Sequence, residues 1–147
     1  MKKFLPLFCI VFAIACNKDD DMEFDAQNEA DIQAYISANN LNPEQTITGL
    51  YYIIDNPGSG DSPTFNSTVT VAYRGYFLNG ITFDQAANAT FPVAGVIPGF
   101  AEAVQLLKPG GSGTFILPSR LGYGNSGTSS IPGGSMIVFD IELISFE

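Results

Sequence analysis

A chain of 147 residues leaves room for about one domain, and 46% apolar residues, 12% aromatics and 15 glycines describe a folded, turn-rich chain rather than a disordered one. Histidine is absent and the only cysteines are Cys9 and Cys16, which excludes Ser-His-Asp triads, Cys-His nucleophiles and His-rich zinc sites. A formal charge of −9 argues against nucleic acid as a partner, because phosphate binding needs an excess of Lys and Arg.

Residues 1–15 read as an export signal: Lys2 and Lys3 form a positive start and Phe4–Ala15 an apolar stretch, too short to span a membrane. Its end, Ala13-Ile14-Ala15-Cys16, resembles a bacterial lipobox, which implies lipidation of Cys16 and a membrane partner through that anchor. An ordinary secretory signal with an incidental Cys is the other reading. Several acyl chains on one N-terminus hold a protein on a membrane stably, whereas one chain alone is marginal. Cleavage before Cys16 removes two lysines and no acid, which moves the formal charge from −9 to −11 and leaves a folded domain without a thiol. The expected location is the cell envelope, on the outer membrane, with its face undecided.

Residues 16–45 are expected to form an acidic tether and a short helix. Asn17–Asp21 reads as a solvated run; it also resembles the acid-rich export signal that follows the lipidated Cys in surface lipoproteins of Bacteroidetes-type bacteria. Glu23–Asn40 predicts an amphipathic helix with Ile32, Tyr35 and Ile36 on one face, ended by Asn39-Asn40 and Pro43. It is read as spacer and packing element.

From Thr46 the pattern turns to strands. Thr46–Asp55 is rich in Ile and Tyr, and Asn56–Gly60 is a turn cluster. Thr68–Leu78 alternates with a period of two, Asn79-Gly80 supplies a hairpin turn, and Ile81–Asp84 begins the return strand. Gln85–Thr90 is polar and read as a loop. Pro98 suits a helix start, Gly99–Leu107 places Phe100, Val104 and Leu107 on one face, and Lys108–Gly111 stops the helix. Thr114–Leu117 and Met136–Phe146 complete the strands around a long loop, Pro118–Gly134, whose Tyr123 suggests that it covers something.

In this order the chain from about Thr46 to Glu147 resembles the FKBP-type prolyl isomerases. The resemblance rests on VAYRGYF, NGITFD, VIPGFAEAV, KPGGSGTFILP, LGYG and the closing IPGGSMIVFDIELISFE. It implies an α+β fold over residues 46–147: an antiparallel half-barrel sheet wrapped around one short α-helix, preceded here by the short N-terminal helix. It also implies peptidyl-prolyl cis/trans isomerisation in an apolar cleft, on proline-containing polypeptides, with no cofactor and no metal. Carried over by position, Tyr73 and Phe83 are cleft walls, with Asp84 at the rim. Phe91 closes one side, Val96 and Ile97 line the junction, and Phe100 is the floor. The Ile97 N–H and the Tyr123 hydroxyl hold the substrate carbonyl, while Ile131 and Phe139 complete the pocket.

Two departures bear on these roles. The family's usual floor Trp is Phe100 here, which implies weaker macrolide binding, and no Arg follows Asp84 as an ionic partner. A monomer is expected. The competing functional readings are a binding or chaperone module that grips proline segments without turnover, and a surface-anchored structural domain.

Overall fold

The computed structural model describes the backbone from Lys18 and the side chains from Phe24 through Glu147. The export signal over residues 1–15 and the lipidation of Cys16 lie outside the described residues.

Helix α1 spans Lys18–Ala38. It begins earlier than the composition suggested, so Lys18–Asp21, read as tether, is helical; acids in a first turn complement the helix dipole. Its end follows the expected chemistry. Asn40 adopts φ 52°, and the Leu41 N–H returns to the Ile36 carbonyl at 3.0 Å, closing the last turn.

Six antiparallel strands form one sheet in the order β1-β2-β5-β6-β3-β4. They are β1 (Glu44–Gln45), β2 (Tyr51–Asn56), β3 (Thr68–Phe77), β4 (Thr82–Pro92), β5 (Ser112–Leu117) and β6 (Ile137–Phe146). Helix α2 (Pro98–Gln105), with Pro98 in its first turn, packs against one face. There Phe100, Ala103, Val104 and Leu107 meet Val69, Val71, Phe115, Leu117, Phe139 and Leu143, all buried. Gly99 permits the close approach, since a Cβ there would stand 2.3 Å from Leu117 Cδ2. On the other face α1 lays Ile32, Tyr35 and Ile36 against Tyr51, Ile116 and Val138. Both faces of β5 and β6 are therefore covered, which is why Phe115-Ile116-Leu117 and Ile137-Val138-Phe139 read as continuous apolar runs rather than alternations.

The polar stretch Gln85–Thr90 is not a loop. It continues β4, pairing Gln85 with Arg74, Ala86 with Tyr73, Ala89 with Val71 and Thr90 with Thr70. β4 is one of the sheet's two edge strands and mostly exposed, so polar side chains meet water while the backbone pairs with β3; strand propensity yields to that context.

Candidate active site

The elements converge on a cleft of about 300 Å³ on the face of the sheet that α2 covers. β3 contributes Tyr73, β4 Asp84 and Phe91, and β6 Phe139. The turn before α2 contributes Gly95, Val96 and Ile97, α2 itself Phe100, and the β5–β6 loop Tyr123. The backbone of β3 makes room at Gly75, which pairs with Asp84 on one side and Phe139 on the other. A Cβ at that position would lie 2.6 Å from the Phe83 ring and 2.7 Å from the Phe139 ring.

Aromatic packing fixes the walls. Phe100, 5% exposed, meets Tyr73 edge-on at 5.6 Å and 85°, Phe139 at 5.1 Å and 88°, and Phe91 at 6.2 Å and 81°. Edge-to-face contacts of this kind add about 0.5–1.5 kcal/mol each beyond burial. They hold each ring at a set angle, so the cleft is formed before any ligand arrives.

Polar groups are few and sit at the mouth. The Tyr73 hydroxyl donates to Asp84 Oδ2 at 2.7 Å, which gives Asp84 the partner that an Arg would otherwise supply. Burial, and then this bond and the carboxylate's charge, push the Tyr73 hydroxyl up to about 12. Burial and the charge of Asp84 also raise the Tyr123 hydroxyl. Both phenols therefore remain protonated at neutral pH, Tyr73 with its proton committed to Asp84 and Tyr123 with a proton to donate. Among the described residues no group of three or more His, Cys, Asp or Glu could hold a metal ion.

Of the residues expected at the site, Tyr73, Asp84, Phe91, Val96, Ile97, Phe100, Tyr123 and Phe139 line the cleft. Phe83 and Ile131 do not. Phe83 lies behind the lining, against Phe77, Tyr123 and Phe139, at the register shift between Gly75 and Tyr76 that interrupts the β3–β4 ladder. Ile131 is 3% exposed and its backbone carbonyl accepts the Thr128 N–H, so it stabilises the loop from within. Gly95 is a lining residue that the sequence did not flag; a glycine beside Val96 carries no chemical signal of its own.

The sequence pattern of the family described as FKBP-type peptidyl-prolyl cis-trans isomerase matches residues 60–144. The chain belongs to this family. It is 38% identical over 127 residues to the FKBP-type peptidyl-prolyl cis-trans isomerase FkpA of Aeromonas hydrophila, covering 82% of this chain and 47% of that protein. The peptidyl-prolyl cis-trans isomerase Mip of Coxiella burnetii is 37% identical over 120 residues, with 77% and 52% covered. The chain thus spans about half the length of these curated relatives. Among solved structures, FkpA from Escherichia coli superposes with a TM-score of 0.76 at 32% identity, covering 88% of this chain and 63% of that one. A prolyl isomerase from Pseudomonas syringae gives 0.74 at 25% identity, covering 86% and 95%. The FKBP-type half-barrel is therefore the fold of this chain, and α1 is packed onto it.

Proposed function

We propose that this protein is a peptidyl-prolyl cis/trans isomerase acting on proline-containing polypeptides. The observation that carries the reading is the pre-formed box of Tyr73, Phe91, Phe100 and Phe139 with hydroxyls only at its mouth. Rotation about an X–Pro amide makes and breaks no bond, and its barrier is about 18–20 kcal/mol. The planar amide separates charge through resonance, and the twisted transition state is less polar. A dry aromatic cleft therefore raises the planar form relative to the twisted one. The Ile97 N–H and the Tyr123 hydroxyl hold the substrate carbonyl while the proline ring turns among the aromatic rings. No base is required, which agrees with a chain lacking histidine.

The test is isomerisation of a short X–Pro peptide series by the purified protein, with Tyr123→Phe alongside. Wild type should exceed the uncatalysed rate, and loss of one transition-state hydrogen bond should lower kcat/KM about tenfold. A folded wild type that binds the peptides without accelerating them would replace the enzyme with a proline-binding module. A macrolide competition in the same assay should show weak binding, since Phe100 offers less ring area than Trp and no indole N–H.

The protein is further proposed to act in the cell envelope as a monomer held to the outer membrane by lipid on Cys16, where slow prolyl steps limit the folding of exported chains. The support is the run Met1–Cys16 with its charged start, apolar stretch and small residues before the cysteine. Cells grown with labelled fatty acid should label the wild type and leave Cys16→Ser unlabelled; equal labelling of both would remove the anchor.

A further inference from the structure

The loop that carries Tyr123 is held by a side chain from outside the family-matched segment. Asn28, in the middle of α1, is 1% exposed. Its Oδ1 accepts the Ser119 N–H at 2.6 Å, and its Nδ2 donates to the Gly134 carbonyl at 3.2 Å. Those two backbone groups lie at opposite ends of the β5–β6 loop. The Ser119 carbonyl accepts the N–H groups of Gly122 at 2.9 Å and Gly124 at 2.8 Å, the two neighbours of Tyr123. The Gly124 carbonyl in turn accepts the Gly134 N–H at 2.9 Å. The hydrogen bonds run from Asn28 to Ser119, Gly124, Gly134 and back to Asn28, closing a ring beside the backbone of Tyr123.

The same turn of α1 adds two further contacts. The Phe24 ring lies so close to Gly134 that a Cβ there would stand 2.5 Å from it. Asp25 meets the Arg120 guanidinium at 3.5 Å, and that guanidinium also donates to the Thr48 carbonyl at 2.9 Å. An amide is suited to the central position because it presents one acceptor and one donor in fixed directions, whereas a carboxylate offers only acceptors and an apolar side chain neither. A buried amide is costly unless both ends are bonded, so a site that needed only to be filled would be better served by an apolar residue.

We propose that Asn28 is a positioning residue for prolyl isomerisation: through Ser119 and Gly134 it sets the Tyr123 hydroxyl over the cleft, which makes α1 a working part of the active site. The inference rests on the isomerase reading for its catalytic half. The clamp itself rests on geometry alone.

The experiment measures kcat/KM on an X–Pro peptide for Asn28→Asp and Asn28→Ala, each in the wild-type and the Tyr123→Phe background. Asn28→Asp keeps the shape and the acceptor for Ser119 but turns a second oxygen toward the Gly134 carbonyl, so it disables one half of the clamp even where Asn28→Ala fails to fold. Each variant is expected to lose about as much kcat/KM as Tyr123→Phe, about tenfold, and to lose less than twofold more once Tyr123 is already Phe. An equal loss in both backgrounds would show a general packing role and overturn the proposal. Amide hydrogen exchange supplies the second readout: Gly122, Gly124 and Gly134 should exchange faster in Asn28→Asp while the amides of β6 keep their wild-type rates. If the wild type proves inactive, the isomerase reading falls by itself and exchange decides the clamp, with unchanged rates at those glycines overturning it.

Discussion

Ser119 has its N–H and its carbonyl occupied, yet its buried hydroxyl meets no hydrogen-bond partner among the described residues. A buried polar group left unpaired costs about 1–3 kcal/mol. Ser119→Ala removes that group and leaves the backbone ring intact, so stability is expected to rise by about 1 kcal/mol; a lower urea midpoint would contradict this. At the same scale, the family resemblance supplied most of the site: Phe91, Val96, Ile97, Phe100 and Tyr123 were carried over position by position on its motifs, and all five line the cleft. Phe83, carried over as a cleft wall in the same way, sits where the β3–β4 register shifts and packs behind the lining rings. Asn28 had a faint signal: it precedes Ile32 by one helical turn, so it shares the buried face, where an amide needs a reason.

Helices and strands were legible to different degrees. α2 was readable because Pro98, the apolar stripe and Lys108–Gly111 mark both of its ends, whereas β4 was readable only at its start, Ile81–Asp84, because an outer strand can be polar where its backbone is paired. α1 was readable as a helix with a packing face, but its apolar stripe does not name the surface it covers. That surface proves to be Tyr51, Ile116 and Val138, with Ile32 fully buried among them. Ile32→Ala should therefore destabilise the fold by about 2–4 kcal/mol, read from urea unfolding. A change under about 0.5 kcal/mol would mean that α1 detaches without consequence.

Across the whole molecule, Tyr51, Tyr52, Tyr73, Tyr76 and Tyr123 all have raised hydroxyl pKa values. Burial is the leading cause at four of them, and at Tyr52 it is the hydrogen bond to Glu44. A group whose folded pKa lies above its unfolded value stabilises fully below the unfolded value and loses that contribution as pH rises through the folded one. For phenols the window opens near pH 10, and for Tyr73 it closes at about 12. The thermal midpoint is thus expected to fall steadily from pH 10 upward, less steeply in Tyr73→Phe, while these hydroxyls leave the midpoint unaffected between pH 7 and 9. A midpoint independent of pH from 9.5 to 11.5 would refute the linkage.

The position of β6 has a consequence for how the chain comes to be whole. It follows every other strand in sequence, yet it lies between β5 and β3 in the sheet. A chain that emerges N-terminus first presents the pieces β1-β2-β5 and β3-β4 before β6, each with an open edge and with only α2 packed against both. Until β6 slides between, the nascent chain offers two unpaired apolar edges, the condition in which strands of neighbouring chains pair by mistake. The last strand made is therefore the one that closes both edges at once.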